Sequence, residues 1–176
     1  ALKKNTNGDI FIGTEAEGIN YIGKNDTKIQ KLDVPASFPK FRSIYSIYFS
    51  NNDSILWLGT VGYGLIKMNL YKKGNKYFVE NVKQYLRTEN ESGLGSNTIY
   101  SIVAGKSESD FFIANRLGGV SRFNVDKELF SRLGKDDKKL ILADDDILCL
   151  EPATDCIIYH CLILQRLLNI QEMMIL

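Results

Sequence analysis

A stretch that occurs three times constrains this chain more than any other feature. Ser54 to Asn69 reads SILWLGTVGYGLIKMN, two apolar runs with a Gly-containing break between them. Gly8 to Tyr21 (GDIFIGTEAEGINY) and Ser109 to Asn124 (SDFFIANRLGGVSRFN) repeat it. Phe11, Trp57 and Phe112 fall in register, and so do Gly18, Gly64 and Gly119, at spacings of 46 and then 55 residues. Short apolar runs joined by a Gly-containing break read as β-hairpins. An all-strand unit recurring at this period predicts a stacked array.

The repeat has an upstream half. Ile44 to Ile47 reads IYSI, and so does Ile99 to Ile102. The distance from each IYSI to its aromatic, Trp57 or Phe112, is the same, so the two strands are phase-locked. The nine extra residues of the longer period therefore lie beyond the hairpin, where Tyr77 to Leu86 (YFVENVKQYL) supplies a further strand. The unit is then four antiparallel strands, the blade of a β-propeller. IYSIYF and ILWLG are apolar on both faces, as expected of strands buried on both sides between stacked sheets.

These residues also carry a family likeness. LWLGTVGYGLIKMN resembles the repeat of two-component regulator propellers, and GLGSNTIYSI (Gly93–Ile102) is similar to the lead-in to each of that family's blades. The likeness covers about Gly8 to Glu151. It implies the extracytoplasmic sensor region of a hybrid two-component system, responding to breakdown products of complex glycans. It implies a periplasmic location and a carbohydrate ligand, and it leaves any kinase outside this chain.

The fold expected is all-β: about three blades of four antiparallel strands, a partial propeller over residues 1–151, with an anomalous C-terminal tail over 152–176. Repeats lie near 8–34, 44–86 and 99–133, and a fourth starts at 146–151. Outer strands are expected at Thr27–Val34, Tyr77–Leu86 and Leu129–Leu133, with a charged turn at Tyr71–Lys76. Closed propellers have roughly 4–8 blades, and an arc of three leaves apolar sheet faces at its ends. The IYSI-type strand that should precede Ile10 is missing. The chain therefore reads as a piece of a larger protein, its ends covered by the remaining blades of a larger sensor or by a second copy in a homo-oligomer.

The fourth repeat begins and then fails. Asp146 to Glu151 (DILCLE) sits where an IYSI-type strand belongs, but no glycine occurs from Lys135 to the end. Leu164, Leu167, Leu168 and Met174 stand at roughly helical spacing, so the tail is a strand, a helix or both. Such an abrupt loss of pattern is what an altered reading frame after about Glu151 would produce.

Composition excludes some partners. Lys and Arg number 22 against 21 Asp and Glu, a net charge of +1. The charges are interspersed, so no basic face for nucleic acid is implied. No membrane contact is expected within the chain. Cys149, Cys156, His160 and Cys161 lack the paired short spacings of a zinc site, and no metal or other cofactor is expected. A Cys156–Cys161 disulfide is open to an exported protein. His160, the sole histidine, would have to serve any lyase or triad chemistry. It lies in the least repeat-like segment, so no catalytic residue is assigned. Asp136, Asp137 and Asp144 to Asp146 read as a solvated loop, with no EF-hand pattern. Gly62-Tyr63-Gly64 and Gly118-Gly119 lie between two strands, which is the wrong context for a phosphate loop.

A ligand surface is expected on one rim, where each second-to-third-strand turn meets the loop entering the next blade. That rim carries Glu17, Arg42, Tyr63 and Arg116. Tyr63 and Arg116 hold nearly the same repeat position. An aromatic ring and a guanidinium suit sugar stacking and hydrogen bonding. The alternatives are a propeller lyase and an interaction scaffold.

Overall fold

A computed structural model describes residues 1–38, 41–50, 52–90, 92–107, 109–133, 145–152, 156–161 and 172–175, with Pro152 and the last two segments described by backbone alone. The described elements are all strands. They form three sheets of four antiparallel strands and one of three, each joining strands in sequence order. The chain divides into two compact units, Ala1–Tyr85 and Leu86–Leu176.

In the first unit, blade 1 comprises β1 (Leu2–Lys4), β2 (Ile10–Gly13), β3 (Ile19–Ile22) and β4 (Gln30–Lys31). Blade 2 comprises β5 (Ile44–Ser50), β6 (Ile55–Thr60), β7 (Leu65–Lys73) and β8 (Lys76–Tyr85). In the second unit, blade 3 comprises β9 (Ile99–Ala104), β10 (Asp110–Asn115), β11 (Val120–Asn124) and β12 (Leu129–Leu133). A fourth sheet follows, of β13 (Ile147–Pro152), β14 (Cys156–Cys161) and β15 (Glu172–Ile175).

The repeat register is reproduced strand by strand. Phe11 pairs with Tyr21, Trp57 with Lys67 and Phe112 with Arg122. The turn between the second and third strands closes the same way in blades 1, 2 and 3. The amides of Thr14, Thr60 and Asn115 donate to the carbonyls of Gly18, Gly64 and Gly119. The side chains of the same three residues donate to the same carbonyls, at 3.0, 2.7 and 3.1 Å. The three glycines have φ of 74°, 70° and 64°, a backbone that a Cβ would strain. That requirement is why the glycine repeats.

Blades 1 and 2 pack face to face. Phe11, Ile19, Tyr21 and Leu32 of blade 1 bury Ile47, Leu56, Leu58, Ile66 and Met68 of blade 2. Close approach needs Gly13, because a Cβ there would stand 2.6 Å from Ile44 Cγ2. In blade 3, Ala114 holds the Gly13 position and packs in a cluster with Ile147 and Leu150. Burial on both faces appears as expected in β6 and β10, where nearly every residue is buried.

Four expectations are corrected. The inner strand of blade 1 is present: Leu2–Lys4 pairs with β2 through Leu2↔Ile12 and Lys4↔Ile10. The outer strand expected over Thr27–Val34 shrinks to Gln30–Lys31. The charged turn at Tyr71–Lys76 is mostly strand, since β7 and β8 pair from Leu65↔Tyr85 out to Lys73↔Lys76 and turn at Gly74-Asn75, with a bulge at Asn69/Leu70. Within the tail, left open between strand and helix, the helical alternative fails at Met174, which is the register partner of Ile157 in paired strands. Leu164, Leu167 and Leu168 lie outside the described residues, as does the loop segment 134–144. Cys156 and Cys161 terminate one strand. At about 3.3 Å per residue they stand too far apart for a disulfide.

Candidate functional site

The turn between β2 and β3 and the connection leaving blade 1 are fastened to each other by backbone. The Gly18 amide donates to the Arg42 carbonyl at 3.0 Å, and the Ile44 amide to the Thr14 carbonyl at 2.9 Å. The Ser43 hydroxyl donates to the Glu15 carbonyl. Within the turn, the Glu17 amide donates to Thr14 Oγ1. Glu17 and Arg42 are thereby set on one rim, as the sequence anticipates.

Between turn and connection lies a cavity of about 510 Å³. Its floor is apolar: Ile19, Leu32 and Phe41 are buried, and Val34, Pro35 and Phe38 continue it. The Pro35 carbonyl accepts from the Phe38 amide at 3.0 Å, which folds the connection back over the space. Polar groups stand at the mouth: Glu17, Lys31, Asp33 and Arg42, two carboxylates and two cations, so the formal charge balances. Lys31 Nζ lies 3.7 Å from Glu17 Oε2, and both side chains are exposed. Such a pair contributes at most about 1 kcal/mol and is readily exchanged for a ligand. A concave space lined by apolar and polar groups in similar measure suits a small molecule that has both kinds of surface.

The four rim residues anticipated from sequence are thus only partly brought together. Glu17 and Arg42 line this cavity. Tyr63 is on the corresponding turn of blade 2, where its carbonyl accepts from Gln84 Nε2 at 2.9 Å, and it is not among the lining residues. Arg116 belongs to the second unit and is exposed on the turn of blade 3, its amide donating to the Thr98 carbonyl. The apolar lining was missed. Its signal was Val34, Phe38 and Phe41, large apolar residues in a connection that a solvated loop would not need.

A second polar cluster lies at the opposite end of the same two blades. Asp9 is buried, and its Oδ2 accepts from Lys72 Nζ at 2.5 Å and from the Tyr77 hydroxyl at 2.6 Å. Its Oδ1 accepts from the Lys24 amide at 2.8 Å. Asn5 Nδ2 donates to the Tyr77 oxygen, and Asn5 Oδ1 accepts from the Asp9 amide. Burial alone would push the Asp9 carboxyl up. The bonds from Lys72, Tyr77 and Lys24 outweigh it and hold the group below the usual carboxylate value. Burial, with the bond to Asp9 behind it, pushes the Tyr77 phenol well above its ordinary value, so it stays a donor. This cluster joins blades.

In the second unit, Arg122 at 2.7 Å is the chief reason that the register-equivalent carboxyl, Asp110, titrates low, against its burial and with help from Asn124. Cys149 and His160 are register partners on β13 and β14. Burial, and the nearby Glu151 charge after it, raise the Cys149 thiol, the opposite of what an activated nucleophile needs.

No family model and no curated protein matches the chain. Solved structures do. The extracellular domain of the hybrid two-component system BT3049 from B. thetaiotaomicron aligns over 91% of this chain and 21% of its own, with a TM-score of 0.68 and 14% identity. That of BT4673 from the same organism aligns over 99% of this chain and 24% of its own, at 0.61 and 14%. A gluconolactonase from Xanthomonas campestris aligns over 91% and 52%, at 0.61 and 9% identity. At these identities the likeness is one of fold. The chain spans about a fifth to a half of the length of these proteins.

Proposed function

We propose that this chain is a ligand-sensing segment of the extracytoplasmic part of a two-component regulator, and that the blade 1 cavity takes a glycan-derived ligand. The observation that carries the reading is the cavity itself: Glu17 and Arg42, picked out by their repeat positions, stand at the mouth of an apolar-floored space. The likeness to extracellular domains of two hybrid two-component systems supports it. The repeat motif supports it independently.

The mouth suits a sugar. Alternating donors and acceptors with no net charge match hydroxyl groups, and Val34, Pro35 and Phe38, which keep accessible surface, suit the C–H face of a pyranose. Binding would add contacts between the connection and the turn 15–18 to the backbone bonds that already join them. Because that connection leads directly into β5, an occupied cavity favours one packing of blade 1 on blade 2 over others. A signal would pass as such a population shift.

The test is titration calorimetry of the chain with short neutral and uronate-containing oligosaccharides, repeated on Arg42→Ala. The side chain of Arg42 is exposed, so the variant is expected to keep its melting temperature while affinity falls by about tenfold, the loss of one charge-assisted hydrogen bond. Binding of no oligosaccharide, or affinity unchanged in Arg42→Ala, overturns the site. Turnover of a bound sugar would overturn the sensor reading in favour of an enzyme.

A further inference from the structure

The four charges at the mouth of the blade 1 cavity are unequally committed. Glu17 and Lys31 stand as a pair at 3.7 Å and largely cancel each other's field. Asp33 and Arg42 have no such partner among the described residues. No cation lies within 4.0 Å of the Asp33 carboxylate, and no carboxylate within 4.0 Å of the Arg42 guanidinium. Both residues are exposed, and both line the same space of about 510 Å³.

The backbone sets these two charges at the two ends of one connection. The chain leaves blade 1 at Asp33, directly after the Leu32 amide donates to the Ile19 carbonyl at 3.1 Å. It comes back at Arg42, whose carbonyl accepts from the Gly18 amide at 3.0 Å. Carboxylate and guanidinium are thus tethered, through backbone, to consecutive residues at the start of β3. They share one mouth and yet do not pair with each other.

A ligand of one sign meets only half of this arrangement. An acidic sugar gains from Arg42 but carries its charge to the mouth that also holds Asp33, and a basic sugar does the reverse. A ligand with an ammonium and a carboxylate meets both groups, and its zero net charge equals that of the mouth. Charge complementarity of this kind acts on specificity more than on raw affinity.

We infer that the cavity selects zwitterionic saccharides, sugars that carry both a free ammonium group and a carboxylate, with Asp33 receiving the ammonium and Arg42 the carboxylate. The inference rests on the reading of this cavity as a sugar site and goes beyond it by naming the charge class of the sugar. It makes Asp33 a specificity-determining residue.

Four monosaccharides isolate the two charges. Muramic acid carries both, N-acetylmuramic acid the carboxylate alone, glucosamine the ammonium alone and N-acetylglucosamine neither. Titration calorimetry at about pH 6, where a sugar amine is protonated, is run on the 176-residue chain, on Asp33→Asn and on Arg42→Ala. Muramic acid is expected to bind about tenfold more tightly than either single-charge sugar, the scale of one charge-assisted hydrogen bond. In Asp33→Asn its advantage over N-acetylmuramic acid should vanish while its advantage over glucosamine persists. In Arg42→Ala the two should exchange. That reciprocal loss separates recognition of charge from the bulk of the acetyl and lactyl groups, which neither variant changes. Muramic acid binding no more tightly than the single-charge sugars overturns the inference, and so do advantages that survive in both variants; the sugar-site reading still stands if a neutral or acidic sugar binds. No binding of any sugar overturns both. Neither substituted side chain has an ion-pair partner to lose, so melting temperatures are expected to hold. Should a variant not fold, the four sugars against the unsubstituted chain still decide, by whether two charges together bind more tightly than either alone.

Discussion

Asp9 ties together segments far apart in sequence, and its charge is what they share. Lys72, Tyr77 and the Lys24 amide all donate to it. Because its pKa is lower folded than unfolded, its contribution is fully present above the unfolded value of about 3.9 and is lost as pH falls through the folded value. Asp9→Asn is expected to cost about 2 kcal/mol at neutral pH, the scale for hydrogen bonds to a charged group. It should also flatten the loss of melting temperature on acidification below about pH 4. Thermal melts of both proteins from neutral to acid pH check this; parallel curves would contradict it. Gly13 is the other sensitive residue. Gly13→Ala drives a methyl to within 2.6 Å of Ile44 Cγ2 and should cost about 1–3 kcal/mol by overpacking. Ile44→Ala in the same chain should recover part of that loss in denaturant midpoint.

Among the elements, the β7–β8 hairpin binds the first unit together. Its outer half carries Leu70, Tyr77 and Val79 into the core of blades 1 and 2. The Tyr77 ring meets Phe11 and Tyr21 edge-on at 5.0 and 5.1 Å. Tyr77→Phe keeps the ring and removes the hydroxyl, so the account expects a loss of about 1–2 kcal/mol. In a double-mutant cycle with Asp9→Asn, the two losses should fall short of additivity by about 0.5 kcal/mol or more. Strict additivity would mean that the bond contributes nothing. This half of the hairpin was illegible in sequence because Lys72, Lys73, Gly74, Asn75 and Lys76 look like a solvated turn. Lys72, Lys73 and Lys76 are in fact paired strand residues, and the turn is only Gly74-Asn75. The inner strand of blade 1 was missed for a related reason: Leu2-Lys3-Lys4 has one apolar residue and no alternation to count. By contrast, the three central hairpins were legible as elements, since a buried aromatic and a turn glycine seven positions on recur in each, although the strand ends, Lys73 of β7 above all, were not. The rim site was half legible. Repeat position identified Glu17 and Arg42, but the folding back of Pro35–Phe38 that encloses the cavity depends on contacts with blade 1 that no local pattern encodes. Tyr63 and Arg116 occupy equivalent turns, and equivalence in a repeat places residues on successive blades, not in one pocket.

Within each unit, sheets stack aromatic face to aliphatic face. Stability lies in these faces, and the proposed function places ligand binding on a connection, so the two should be separable by substitution. Substitutions at Glu17, Lys31 or Arg42 should change ligand affinity with the melting temperature held. Substitutions at Phe11 or Leu58 should do the reverse, at about 3 kcal/mol for truncation to Ala. The central claim is that a glycan-derived ligand sits in the cavity of blade 1. Amide chemical-shift mapping of the chain with a bound oligosaccharide tests it most directly. The account predicts shifts concentrated at Glu17, Gly18, Ile19, Leu32, Val34 and Arg42. Shifts confined to the turns of Tyr63 or Arg116, or no shift at saturating sugar, would contradict it.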